Sequence, residues 1–310
     1  MSVITDYLLI RPATRALVKQ LDGLAASGDF DLPLLDQLRE LPEITGSRMA
    51  VYYLASLYLQ SDEESAARQI LLSLNGSSSV MKKFYRVLSC SRRNNLAVPE
   101  LSTVEKSCIE YLDAAVNPPA NSIEHQLSEA GGFSIVGNAP GTTVKNTPDE
   151  WCRFYFNSYL KNPAITDRAS IHVVTPSWQT DETESDSSLC ITGNSIFHRR
   201  SHVWRKFIDK KDHPAIYTVP RSLWRSLYLE LGTSPSAGLL IAGLLAEITA
   251  RKPQTLSGYI AGFSFGISGS NHEYDAEPAS SRHNWTGEAV VLKRLIGELE
   301  NNCSKLTVEY

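Results

Sequence analysis

The stretch that decides the fold covers residues 233–291, TSPSAGLLIAGLLAEITARKPQTLSGYIAGFSFGISGSNHEYDAEPASSRHNWTGEAVV. Its first residues are a serine cap, Ser234, and a proline at the first helical position, Pro235. The apolar run that follows predicts a helix ending near Arg251. Such a helix start exposes backbone N–H groups and the positive end of the helix dipole, so Ser234, Ser236 and Gly238 are candidate anion-binding residues.

The second half of this stretch carries the polar candidates. A Lys-Pro breaker follows the helix, and a short strand is predicted near residues 256–260 before Gly262-Phe263. A polar loop then contains His272 and His283. A serine before an apolar helix is also an ordinary cap, and a histidine in a loop is also an ordinary surface residue, so each signal alone has a purely structural explanation.

The chain upstream alternates between short strands and helices. Strands are predicted at residues 133–136, 171–174, 189–192 and 215–219, and a helix at residues 221–231. This alternation predicts an α/β fold with a mostly parallel sheet flanked by helices. Ligands of such sheets bind at the carboxyl ends of the strands.

Residues 12–117 have helical periodicity throughout. Successive short helices are predicted, two of them starting at the capping boxes Ser61-x-x-Glu64 and Ser102-x-x-Glu105. This arrangement predicts an all-α, repeat-like module of helical hairpins. The sequence does not decide whether this module is a structural cap or a docking surface for a protein or a membrane complex. A Pro and Asn cluster at residues 116–121 marks the connection, so we predict domains at residues 1–125 and 126–310.

The composition is that of an ordinary globular protein. Its 310 residues are 42% hydrophobic and 21% charged, the net charge is −4, and the pI is near 6.0. These values do not favour a nucleic-acid partner. No secretory signal or membrane anchor is apparent at the start, and the five cysteines lack metal-type spacing. We therefore expect a cytoplasmic protein, either free or peripheral at the inner membrane face, with no structural metal.

Another glycine turn, Gly137-Asn138, follows the first predicted strand of the sheet. Its backbone can approach a nucleotide closely, and the Asn138 amide offers both donors and an acceptor. Taken alone, glycine beside asparagine is ordinary turn chemistry.

Taken in order, six short motifs resemble the sialyl motifs of the sialyltransferase family. They are Val136-Gly137-Asn138, Arg153-Phe154-Tyr155-Phe156-Asn157, Pro235-Ser236-Ala237-Gly238-Leu239, Gly262-Phe263, His272-x-Tyr274-Asp275 and His283-x-x-x-x-Glu288. The resemblance covers about residues 130–296. Its most specific part is the pair of histidine motifs after Pro-Ser-x-Gly.

The resemblance implies a metal-independent, inverting glycosyltransferase with a single Rossmann-like catalytic domain and no cofactor, which uses a CMP-activated sugar as donor. It also implies that Asn138 and Asn157 hold the CMP group, with Gly137 and Tyr274 near the donor. Ser236 and Gly238 would meet the nucleotide and the sugar carboxylate. His272 would bind the leaving phosphate and His283 would be the general base, while Glu288 has a structural or a catalytic role.

The sequence departs from the family at several places. The family's paired cysteines are absent, Glu273 replaces an aromatic residue, and Ala139 replaces a serine. The donor therefore stays open between CMP-sialic acid and CMP-Kdo, and the acceptor is a glycan or glycolipid such as a lipopolysaccharide or capsule precursor. Two alternatives remain: a non-catalytic helical-repeat interaction protein with a degenerate nucleotide-sugar domain, and a CMP-sugar hydrolase.

Overall fold

The computed structural model of the chain describes residues 12–27, 30–61, 63–103, 105–106, 109–110, 123–137, 147–156, 170–175, 188–192, 216–263 and 283–309. The chain divides into two compact units. Among the described residues, 12–110 belong to the first unit and 123–309 to the second. The predicted division after residue 125 stays a prediction.

The regular elements of the first unit are helical in its described part. They are α1 (Pro12–Ser27), α2 (Leu32–Arg39), α3 (Pro42–Thr45), α4 (Arg48–Gln60), α5 (Glu64–Leu72), a 3-10 helix (Ser79–Lys83) and α6 (Tyr85–Arg93). Helix α4 is the centre of this unit, because it contacts the other five α helices and most of its residues are buried. A repeat-like arrangement of helical hairpins stays a prediction.

One of the two predicted capping boxes is confirmed. The Ser102 N–H donates to Glu105 Oε2 at 2.9 Å, and the Glu105 N–H donates to Ser102 Oγ at 3.2 Å. The box predicted at Ser61 is wrong, because Ser61 is the C-terminal cap of α4. The Glu64 carboxylate instead accepts hydrogen bonds from Arg93 and Asn94.

The second unit is built on a seven-stranded sheet in which every neighbouring pair is parallel. Its strands are β1 (Gly132–Val136), β2 (Cys152–Phe156), β3 (Ile171–Val174), β4 (Ser188–Ile191), β5 (Ile216–Thr218), β6 (Ser257–Ala261) and β7 (Lys305–Val308). Their order is β5-β4-β3-β2-β1-β6-β7. The predicted α/β class with a parallel sheet is therefore confirmed.

Four helices accompany the sheet: α7 (Ile123–Ala130), α8 (Arg221–Leu231), α9 (Ala237–Arg251) and α10 (Trp285–Asn302). Their apolar side chains share one core with alternate residues of the strands, such as Phe133 and Ile135 of β1. Val136 and its neighbours Tyr155, Tyr259 and Ala261 form a second buried cluster. Both faces of the central strands are buried, as is usual for parallel sheets.

The sheet order reverses between β1 and β6. The chain moves outward from β1 to β5 on one side, then returns to add β6 and β7 on the other. The carboxyl ends of the strands at such a reversal are the usual ligand crevice of an open α/β sheet. No helix in the described part of the chain is long and apolar enough to cross a membrane.

Candidate active site

Two glycine turns meet where the sheet order reverses. The Gly137 N–H, just after β1, donates to the Ala261 carbonyl at the end of β6 at 2.9 Å. A Cβ atom at Gly137 would overlap the Gly262 carbonyl oxygen, and Gly262 itself has a φ of 74°. Glycine is therefore needed at Gly137 for backbone approach and at Gly262 for a left-handed conformation.

The amino terminus of α9 lies beside the same turns. A Cβ atom at Gly238 would come within 2.5 Å of Cε1 of Phe263. The Phe263 ring in turn makes an edge contact with Phe156 at the end of β2, with ring centroids 6.3 Å apart. The start of α9 is thus packed against the carboxyl ends of β2 and β6.

Helix α9 begins two residues later than its sequence predicts. Its N-cap is Ser236, whose hydroxyl accepts from the Leu239 N–H at 3.3 Å, and not Ser234. The residues before the helix are held by tertiary hydrogen bonds that a local pattern does not contain. A proline also disfavours a helical conformation for the residue before it, here Ser234.

Four hydrogen bonds join the segment before α9 to the start of α10. The Asn284 side chain donates to the Leu231 carbonyl at 3.3 Å, and the Asn284 N–H donates to Thr233 Oγ1 at 3.2 Å. His283 Nδ1 lies 2.7 Å from the Ser234 carbonyl oxygen, and the Ser236 N–H donates to Glu288 Oε1 at 2.9 Å. We call residues 231–236 and 283–288 together the junction.

The junction selects one tautomer of His283. A carbonyl oxygen can only accept, so Nδ1 must carry the proton that bonds to Ser234. In the neutral imidazole Nε2 then has a free lone pair. The side chain is 17% exposed. His283 is therefore oriented as a base is oriented in catalytic sites, with one nitrogen held and the other available.

Glu288 connects the histidine to the start of α9. Its carboxylate is buried, and Oε1 lies 3.4 Å from His283 Nδ1 as well as 2.9 Å from the Ser236 nitrogen. A buried carboxylate normally needs such partners. Glu288 therefore has both a structural contact and a contact with the candidate base.

Two backbone amides at the start of α9 remain without a hydrogen-bond partner in the described part of the chain. Ser236 Oγ accepts from Leu239, and the Ser236 N–H is bound to Glu288, but Ala237 and Gly238 lie at the first two helical positions, where no intrahelical acceptor exists. Both residues are partly exposed. Two N–H groups at the amino-terminal end of a 15-residue helix can bind an anion.

The structure brings together six of the ten predicted site residues. Gly137, Ser234, Ser236, Gly238, His283 and Glu288 lie in or beside the contacts described above. The other four, Asn138, Asn157, His272 and Tyr274, lie outside the described residues.

Sequence reasoning missed Asn284, the N-cap of α10. Its Oδ1 accepts from the Gly287 N–H at 3.0 Å while its Nδ2 reaches α8. The signal was available, because asparagine is a preferred N-cap and an apolar helical pattern follows it. Residues 283–288 were instead predicted as part of a polar loop, so α10 itself was missed.

Metal binding and thiol chemistry can be assessed only among the described residues of this site. In the described ranges no group of three or more His, Cys, Asp or Glu side chains is placed to hold a metal ion. Burial raises the pKa of Cys152 and of Cys190 to about 12, so both thiols stay protonated at neutral pH.

No family model, curated protein or solved structure matches this chain. The functional assignment therefore rests on the residues and the geometry of the junction.

Proposed function

We propose that this protein is an inverting, metal-independent glycosyltransferase that moves a sialic acid or Kdo-type sugar from its CMP-activated donor to a glycan hydroxyl. The observation that carries the proposal is the position of His283. Its Nδ1 is held by the Ser234 carbonyl, and its neighbour Glu288 caps the Pro-Ser-Ala-Gly start of α9. Two motifs that are about 50 residues apart in sequence are thus in direct contact, which supports a shared catalytic role.

His283 acts as the general base in this reaction. Nε2 takes the proton of an acceptor hydroxyl while the acceptor oxygen forms a bond to the anomeric carbon of the sugar. The bond from that carbon to the phosphate oxygen breaks on the opposite face, and CMP leaves with the bonding electrons. Glu288, 3.4 Å from Nδ1, stabilises the positive imidazolium that this transfer creates.

The donor occupies the crevice where the sheet order reverses. The Ala237 and Gly238 amides bind an anionic group of the donor, and the tight Gly137 turn lets the nucleotide approach the backbone. Asn138, Asn157, His272 and Tyr274 complete the donor site in this proposal. A Rossmann-like description of the second unit belongs to the same proposal, since the reversal of strand order next to β1 supports it.

The biological setting follows from the donor chemistry. CMP-activated acidic sugars modify surface glycans, so the acceptor is a lipopolysaccharide or capsule precursor that is assembled in the cytoplasm or at the inner membrane face. The first unit serves there as a structural cap or as a docking module for a protein or a membrane complex.

Donor turnover by the purified protein tests the proposal. CMP-sialic acid and CMP-Kdo are each incubated with a panel of glycan acceptors, and both CMP and the transferred sugar are measured. We expect acceptor-dependent CMP release that falls about 10²- to 10⁴-fold in His283→Asn, because the Asn amide can still donate to the Ser234 carbonyl but cannot accept the proton.

The matched control is His125→Asn, which changes an exposed histidine on α7 that pairs with Glu129. If CMP release is the same with and without every acceptor, the protein is a CMP-sugar hydrolase and not a transferase. If the wild-type protein turns over neither donor, the interaction-protein alternative remains.

A further inference from the structure

A large aromatic side chain is exposed next to the candidate base. Trp285, the first residue of α10, is 37% exposed, and its ring centroid lies 5.0 Å from that of His283 with the ring planes inclined by 56°. The described part of the second unit contains two other exposed large hydrophobic residues, Leu229 and Val290. Neither of them offers an aromatic face.

The backbone between His283 and Trp285 is anchored by Asn284, which is hydrogen-bonded to Leu231, Thr233 and Gly287. The imidazole and the indole lie side by side at the entrance to α10, with ring centroids 5.0 Å apart. A group that rests on the indole is therefore close to the imidazole.

An exposed indole is suited to one class of ligand in particular. A pyranose ring has a face of C–H groups that packs against an aromatic ring, while its hydroxyl groups point sideways to polar partners. Ligand sites combine such apolar surfaces with a few well-placed polar groups. At this position the polar partner is His283, whose Nε2 is not engaged by the Ser234 contact.

We infer that Trp285 is the acceptor-binding residue that determines specificity: it holds a pyranose ring against the exposed part of its indole so that one hydroxyl reaches His283. This inference rests on the proposed function. It makes the acceptor a sugar ring with a continuous C–H face, and it excludes a peptide hydroxyl or a lipid phosphate as the preferred acceptor. Trp285 acts on the acceptor and has no part in donor cleavage.

Steady-state kinetics of Trp285→Phe, Trp285→Leu and Trp285→Ala test this inference, with the acceptor that supports transfer in the assay above. Loss of the aromatic face in the Leu and Ala variants should raise the acceptor KM about 5- to 50-fold. The Phe variant should stay within about 3-fold of the wild-type KM, because it keeps an aromatic face. Val290→Ala, an exposed apolar change on the same helix, should leave the acceptor KM at its wild-type value.

Two outcomes would overturn the inference while leaving the proposed function intact. One is wild-type acceptor KM in Trp285→Leu and Trp285→Ala; the other is an equal fall of kcat for transfer and for acceptor-free CMP release, which shows that Trp285 only packs His283. Circular dichroism melting of each variant separates either outcome from unfolding, and Trp285→Leu keeps apolar bulk if Trp285→Ala does not fold. If the wild type consumes no donor, the proposed function fails and the inference fails with it.

Discussion

At the scale of single residues, substitutions of Glu288 distinguish its structural role from its electrostatic role. Glu288→Gln keeps a carbonyl oxygen for the Ser236 N–H but loses the negative charge 3.4 Å from His283 Nδ1. We expect turnover to fall about 10- to 100-fold because the imidazolium loses its counter-charge. The free energy of unfolding should change by less than about 1 kcal/mol. Turnover kinetics and urea denaturation measure the two effects.

Glu288→Ala is the companion variant. It leaves the Ser236 N–H unbound and opens a cavity beside the base, so we expect an additional loss of stability of about 1–3 kcal/mol. Glu298→Gln on the same helix is the matched control, because that exposed carboxylate pairs with Arg294. A Glu288→Gln protein with wild-type turnover would show that Glu288 is a structural residue.

Gly238 is a second residue whose role can be measured. Gly238→Ala would place Cβ within 2.5 Å of Phe263 Cε1, so we expect a loss of about 1–3 kcal/mol in the free energy of unfolding. In the background Phe263→Leu the same substitution should cost less, and the double-mutant cycle should give a coupling energy of at least about 0.5 kcal/mol. Gly297→Ala, with nothing within 4 Å of the new atom, should stabilise α10 and serves as the control. Additive effects at Gly238 and Phe263 would contradict the contact.

At the scale of elements, Asn284 joins the end of α8 and the segment before α9 to the start of α10. Asn284→Ala removes both the N-cap of α10 and the bond to the Leu231 carbonyl, so we expect a loss of about 1–2 kcal/mol in urea denaturation and a loss of turnover through His283. Asn284→Asp keeps an oxygen for the Gly287 N–H and should recover most of the cap. Asp31→Ala removes the N-cap of α2 in the first unit and should lower stability without changing turnover. Wild-type turnover in Asn284→Ala would show that this N-cap is not needed for activity.

Elements with a clear local pattern were predictable from the sequence. The helix at residues 221–231 and the strands at β1, β3 and β6 match their predicted positions closely, because their apolar periods and glycine ends are local signals. Strand β2, Cys-Arg-Phe-Tyr-Phe, was missed because Arg153 interrupts its apolar run. The helical periodicity of residues 12–117 did not reveal that the chain leaves the helical conformation at Phe84, whose φ of −121° and ψ of 80° separate the 3-10 helix from α6.

At the scale of the whole molecule, the site depends on topology that no local pattern contains. Gly137 and Gly262 are 125 residues apart in sequence and touch only because β1 and β6 are neighbours in the sheet. The order of the motifs predicted that Ser236, His283 and Glu288 act together. The bond from Asn284 to Leu231 is a tertiary contact, so the local sequence did not reveal it. The helix α9 is capped by Ser236 and not Ser234 because tertiary hydrogen bonds hold the preceding residues, which the local sequence also does not show.

At the same scale, the stability of the protein should fall in acid, and the carboxylate of Glu124 should contribute to this fall. Glu124 on α7 is held by Arg251 at 2.9 Å and Lys252 at 3.2 Å at the end of α9, and the hydrogen bond from Arg251 is the main cause that lowers the pKa of the Glu124 carboxyl. A carboxyl whose pKa is lower in the folded state adds stability above its unfolded pKa. That stability is lost as the pH falls from about 5 through the folded pKa.

Glu124→Gln removes this contribution, so its free energy of unfolding should be lower than that of the wild type near neutral pH, by less than about 1 kcal/mol because the pair is exposed. The difference should disappear in acid, where wild-type Glu124 is protonated and no longer pairs. Urea denaturation between about pH 3 and pH 7 measures the difference. Glu300→Gln is the control with the same change in net charge, since Glu300 has no ion-pair partner in the described part of the chain. A constant difference across this pH range would show that Glu124 joins α7 to α9 by packing and not by its charge.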